Sequence, residues 1–156
     1  MRRLLKHMVF KYLDKEEPIK TRFRGPKKYR KSGLTLDQAL TIREKVKQAF
    51  EEDKIYRSND IGLDDLATHI DHNRYKVSQV INTYFSKNFY AFVNEYRIKE
   101  AKHLLASEPH LSVKAIMYEV GFNSKNSFYT AFKKVTGVCP NDYRSSMVYS
   151  YEIQMA

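Results

Sequence analysis

The sequence predicts an all-α fold: two helix-turn-helix subdomains joined by a long helix, about seven helices in all, behind a basic N-terminal extension. Three observations lead there. Leu66, Ile70, Asn73, Val77, Ile81, Ser86 and Phe92 correspond to Ile116, Val120, Asn123, Phe128, Phe132, Gly137 and Tyr143, at an offset of fifty residues that becomes fifty-one within the second copy. Each copy holds a short apolar-periodic segment, a turn, and a second amphipathic segment with a polar free face, the pattern of a helix-turn-helix. No stretch of any length alternates apolar and polar residues as a half-buried strand would. Two such units on one chain suggest a protein that reads two successive turns of DNA without needing a dimer.

The first helix is expected from Thr35, a good N-cap, with Asp37 in the first turn where the helix dipole favours a negative charge. Leu36, Ala39, Leu40, Val46, Ala49 and Phe50 form its apolar stripe. The first helix-turn-helix occupies about 63–85. Leu63, Leu66, Ala67 and Ile70 are its buried face, Asp71 falls in the turn, and Asn73 caps a second helix running to about Tyr84. Val77, Val80, Ile81 and Phe85 point inward there, which leaves Arg74, Tyr75, Lys76, Ser78, Gln79 and Asn82 on or near the free face. Residues 89–107 read as one long helix that acts as a rigid strut, ended by Pro109. The second unit occupies about 112–136, with Ser112 as first cap and Gly121 in the turn, where a residue without Cβ is easiest. Asn123 is expected to cap the second recognition helix, about 124–135. Phe128, Ala131, Phe132 and Val135 point inward, while Lys125, Asn126, Tyr129, Thr130 and Lys133 are outward. Gly137 stops that helix, and Pro140 suits the first turn of a closing one.

Charge divides the chain as sharply as periodicity does. The formal net charge is +10 over 156 residues, but residues 1–33 alone hold twelve Lys and Arg against three Asp and Glu. Residues 34–148 are expected to be the folded domain, with 149–156 a C-terminal tail. Within the rest of the chain, residues 34–72 carry five basic and nine acidic groups, and residues 73–156 carry eleven basic and six acidic ones. The basic bias therefore lies with both second helices. In the extension, residues 2–13 have the spacing of a short basic amphipathic helix, and residues 14–33, with two Pro and two Gly, read as a linker or a nonspecific phosphate-binding arm.

Composition also limits the function classes. Cys139 is the only cysteine, so no intrachain disulfide forms, which fits a reducing, cytoplasmic setting. No apolar run approaches the roughly 18 residues of a membrane span. The apolar run Met8-Val9-Phe10 is broken by Lys11, unlike a signal peptide. His69 and His72 are three apart, but no third ligand joins them at zinc-like spacing. No phosphate-cradling glycine loop or nucleophile motif occurs. The expectation is a protein that is not an enzyme and needs no metal or cofactor.

A reading helix needs a rigid apolar back and a polar front that can meet base edges in the major groove. Gln79 or Asn126 has the amide for a two-point bond to adenine, and Arg74 or Lys125 the charge for guanine or phosphate. Tyr75 and Tyr129 can pack on a thymine methyl or a sugar. The candidate base-contacting set is Arg74, Tyr75, Ser78, Gln79, Lys125, Asn126, Tyr129 and Thr130. Lys76, Asn82, Lys87, Lys133 and Lys134 are candidates for phosphate, where contacts position without specifying.

Gly121-Phe122, Phe128, Phe132-Lys133-Lys134, Gly137, Pro140 and Tyr143-Arg144 resemble the C-terminal signature of the AraC/XylS family of bacterial transcription regulators. Leu63–Ala67, Val77 through Ile81, Arg97-Ile98, Ala101 and Leu104-Leu105 resemble its first half and its linker helix, and the resemblance covers roughly residues 35–146. It implies a seven-helix, sequence-specific regulator, an activator that contacts RNA polymerase, with both recognition helices entering adjacent major grooves as a monomer. Base-facing positions by this pattern are Tyr75, Ser78 and Gln79, then Lys125, Asn126, Tyr129 and Thr130. Gly62 stands where Ser or Thr commonly caps, Asp71 where the first turn often has Gly, Gln79 where Arg is frequent, and Cys139 where Ser or Thr is usual. Members usually carry a sensing or membrane-spanning part as well, and the basic run Lys27–Leu34 resembles the linker of members with transmembrane helices. The alternative function is a helical protein-interaction module of a larger membrane-linked signalling protein, with weak or nonspecific DNA binding; the acidic 34–72 region suits it.

Overall fold

The Thr35 side chain accepts the Gln38 N–H and opens α1, Leu36–Glu51, whose Ala39, Ile42, Val46, Ala49 and Phe50 are buried. The computed structural model describes residues 33–155, so the helix expected over 2–13 and the linker before Gly33 lie outside the described residues. A 3-10 turn, Ile55–Arg57, leads from α1 to α2, Leu63–His69, and α3, Arg74–Tyr84. Next come α4, Phe89–Ser107, α5, Val113–Glu119, α6, Lys125–Thr136, and α7, Pro140–Met155. Among the described residues these are seven α-helices with no strand. Residues 149–155, expected as a tail, continue the helical backbone of α7, since no Gly or Pro follows Pro140 to end it.

The helices build two cores on one strut. The first joins α1, Tyr56, α2 and α3 to Phe89, Phe92 and Val93 at the start of α4. The second joins Ile98, Ala101 and Leu105, further along α4, to Ile116, Met117, Val120, Phe122, Phe128 and Phe132. Phe92 and Ala101 are nine residues apart, about two and a half turns, so they face opposite sides of the same helix. That is why α4 lacks a single apolar stripe: each half is amphipathic toward a different unit.

The repeat is written into the backbone. Asp71 (φ 53°) matches Gly121 (φ 95°), and Ser86 (φ 54°) matches Gly137 (φ 81°), all in the left-handed region. Asp71 is exposed, so its side chain is not forced into the core and the modest left-handed penalty is tolerated. A Cβ on Gly121 would lie 2.5 Å from the Tyr56 carbonyl oxygen, so only glycine fits there.

Two expectations are corrected. The Asn73 carboxamide caps α3 by accepting the Tyr75 and Lys76 N–H groups, but α6 is capped by Ser124, whose hydroxyl accepts from Ser127 N–H, and not by Asn123. The extra residue of the second copy therefore sits ahead of its cap and lengthens that turn. Val135, expected inside, is 56% exposed. It lies on the Phe128 side of α6 but one turn beyond the edge of the core.

Candidate nucleic-acid interface

Both candidate recognition helices, α3 and α6, have a sealed back. Val77, Val80 and Ile81 on α3, and Phe128 and Phe132 on α6, are fully buried. Phe128 packs between Phe122 and Phe132, with ring centroids 5.2 and 5.7 Å away. A helix held this way cannot roll, so its outward residues keep one direction.

On α3, Arg74 and Tyr75 are exposed and Ser78 is half-buried on the same side. Tyr75 is 75% exposed. Arg74 reaches back to Asp64 on α2 at 3.3 Å. Asn82 donates to the Ser78 carbonyl at 2.7 Å and to its hydroxyl at 3.4 Å, which holds the Asn82 side chain over that turn. Lys76 donates to Gln38 of α1 at 3.1 Å, and Lys87 pairs with Glu95 of α4 at 3.1 Å.

Gln79 is a correction. It is 1% exposed, within the row Val77, Val80 and Ile81, and its Oε1 is buried with no hydrogen-bond partner. The helix turns Gln79 into the core, not toward the free face, and it leaves the base-contacting set. By residue type alone a polar side chain three after Lys76 and one after Ser78 reads as outward, and only packing shows otherwise.

On α6, Lys125, Asn126 and Thr130 are exposed and Tyr129 is half-buried beside them. The Lys125 ammonium lies 5.2 Å from the centre of the Tyr129 ring, which holds cation and aromatic as one surface. The Tyr129 hydroxyl accepts from Asn141 of α7 at 3.5 Å. Lys133 and Lys134 are exposed in the last turn, where cations complement the helix dipole. The structure thus groups Arg74, Tyr75 and Ser78 on one helix, and Lys125, Asn126, Tyr129 and Thr130 on the other.

His69 Nε2 is 2.8 Å from the Asp53 carboxylate, and His72 Nε2 is buried beneath the turn. Burial, then the Lys45 charge, lower the His72 pKa. Among the described residues no three His, Cys, Asp or Glu side chains gather to hold a metal ion. None of the described helices is long and apolar enough to cross a membrane.

The residues that sequence reasoning missed lie between the units. Arg97 is 8% exposed in the middle of α4. Its signal was present: it sits four residues from both Val93 and Ala101, on a register that is otherwise apolar.

Comparison with known proteins agrees with this geometry. A helix-turn-helix domain family model matches residues 66–146, more than half of the chain. The regulatory protein PocR of Salmonella typhimurium is 29% identical over 103 residues, covering 66% of this chain but only 34% of PocR. The chain therefore spans about a third of that relative's length. Among solved structures, the C-terminal domain of AraT, a response regulator from Geobacillus stearothermophilus, superposes with a TM-score of 0.60 at 26% identity, covering 73% of this chain and 88% of that one. The DNA-binding domain of the global transcriptional factor AdpA, solved with a target DNA, shares the fold with a TM-score of 0.59 at 20% identity, covering 68% of this chain and 91% of that one. Repeated unit, strut and matched signature together place the chain in the AraC-type helix-turn-helix family of DNA-binding transcription regulators.

Proposed function

We propose that the domain binds duplex DNA sequence-specifically as a monomer, inserting α3 and α6 into successive major grooves. One observation carries this reading: two helices at equivalent positions of a repeat each have a fully buried back and an exposed front of base-competent side chains. The nineteen-residue α4 between them is about 28 Å long, commensurate with the roughly 34 Å between successive major grooves. Arg74, Tyr75 and Ser78, with Lys125, Asn126, Tyr129 and Thr130, face the bases. Lys76, Asn82, Lys87, Lys133 and Lys134 position the backbone, with Lys87 exchanging Glu95 for a phosphate. Activation through RNA polymerase, in a cytoplasmic setting, follows from the family pattern. A sensing or membrane-spanning part on a longer chain fits the short share of PocR that is matched.

Selection of preferred duplexes from a random pool tests the proposal. Two half-sites about 10 base pairs apart are expected, with affinity falling steeply as salt rises. An absence of salt-dependent duplex binding would leave the protein-interaction module as the better reading.

A further inference from the structure

We propose that the 54–58 segment is a rigid joint that fixes the two reading helices relative to each other, making the domain selective for the spacing between its half-sites. The proposal rests on the DNA-reading role above and adds a determinant remote from both reading faces.

The segment belongs to the first unit. Tyr56 is buried, stacked on Phe50 at 6.1 Å and beside Tyr96 at 5.8 Å. Yet it is gripped from the second. Arg97 of α4 donates through Nε to the Tyr56 carbonyl and through an Nη to the Ser58 carbonyl, both at 2.7 Å. The same guanidinium lies 5.3 Å from the centre of the Phe122 ring, which is part of the second core. Gly121, in the turn of the second unit, packs on the segment so closely that a Cβ would lie 2.5 Å from the Tyr56 oxygen and 2.8 Å from the Arg57 oxygen.

Ion pairs close the joint. Arg57 and Lys54 both bind the Glu100 carboxylate of α4, Lys54 at 2.9 Å. A second arm of Arg57 reaches Glu119 of α5 at 3.0 Å. Arg57 thereby connects the first unit, the strut and the second unit with one side chain. Bonds to a buried guanidinium, a backbone-on-backbone contact and a shared carboxylate must all shift together if the units are to pivot.

Rigidity has a readable consequence. When two modules bind one duplex, the second binds at an effective concentration set by the link. A stiff link concentrates it at one separation and excludes others; a loose link tolerates several. Inserting one base pair moves a half-site by about 3.4 Å along the duplex and turns it by about 35° around the axis, a change that this joint cannot follow.

The experiment measures binding of the full chain and of two variants to the selected duplex, to the same duplex with one base pair inserted or removed between half-sites, and to a single half-site. The variants are Arg57→Ala and Glu119→Gln, both at exposed side chains away from the reading faces. The second cuts only the outer arm if the first fails to fold. Wild-type affinity is expected to fall at least about tenfold on changing the spacing. Both variants keep half-site affinity within about twofold; Arg57→Ala loses affinity at the native spacing and shows less than about threefold discrimination among spacings, while Glu119→Gln, which leaves the Arg97 and Glu100 bonds in place, discriminates less than wild type by a smaller margin. A wild type that binds all spacings alike overturns the joint, as does a folded variant that keeps full discrimination. Loss of half-site binding by the wild type would instead refute the DNA-reading role itself.

Discussion

Gln79 shows how one side chain's surroundings outweigh its chemistry. By type it suits adenine, and by family position it replaces a residue that is frequently Arg, yet it lies 1% exposed with an unpaired carbonyl oxygen. A buried carbonyl oxygen without a partner costs about 1–3 kcal/mol. Gln79→Met retains similar length and removes the polar group, so a gain of about 1 kcal/mol in stability is expected from urea denaturation. Site preference in the duplex selection should stay unchanged. If preference relaxed at a particular base pair, Gln79 would return to the reading set. Gly121 makes the converse point. Its need for glycine was legible as a turn, but the reason, the Tyr56 oxygen 2.5 Å from any Cβ, comes from a residue sixty-five positions earlier and has no local signature.

At the scale of elements, local chemistry made most of the fold legible. α4 was expected over residues 89–107 and spans Phe89–Ser107, because Asn88 caps its start and Pro109 forbids continuation. The second cap was misplaced by one residue, since Asn123 and Ser124 are both good caps and only the backbone path chooses Ser124. The polar fronts of α3 and α6 were legible as well, except where the fold takes Gln79 inside. On the proposed reading, these fronts divide into residues that specify and residues that position. Asn126→Ala should narrow the gap between the selected site and random duplex, by about 1–3 kcal/mol, while leaving nonspecific affinity nearly unchanged. Lys134→Ala, at the exposed last turn of α6, should weaken every duplex about equally and reduce the logarithmic salt slope by about 1. Titrations at two salt concentrations separate the two effects; an exchange of these two signatures would mean that α6 enters the groove on a different face.

At the scale of the whole molecule, the relation between the units depends on long-range polar contacts that periodicity does not encode. Arg57 and Glu100 are forty-three residues apart, and neither position departs from an ordinary exposed helix or loop pattern. In the folded protein the Glu100 side chain is only 9% exposed. Burial alone would raise its pKa, but the bonds from Arg57, Lys54 and Tyr56 outweigh burial and hold it at about 2, against an ordinary 4.5. A carboxyl whose folded value is depressed contributes stability that is complete above its unfolded pKa and is lost as pH falls through its folded one. The window for Glu100 therefore runs from about pH 4.5 down to about 2. Wild type should lose stability across it more steeply than Glu100→Gln, by up to about 1.4 kcal/mol per pH unit, the slope of one proton. Other carboxylates titrate in both proteins and cancel in the difference. Urea denaturation at several pH values checks this. Parallel slopes for the two proteins would show that Glu100 is not held by its basic partners in solution, and that the joint is looser than its geometry.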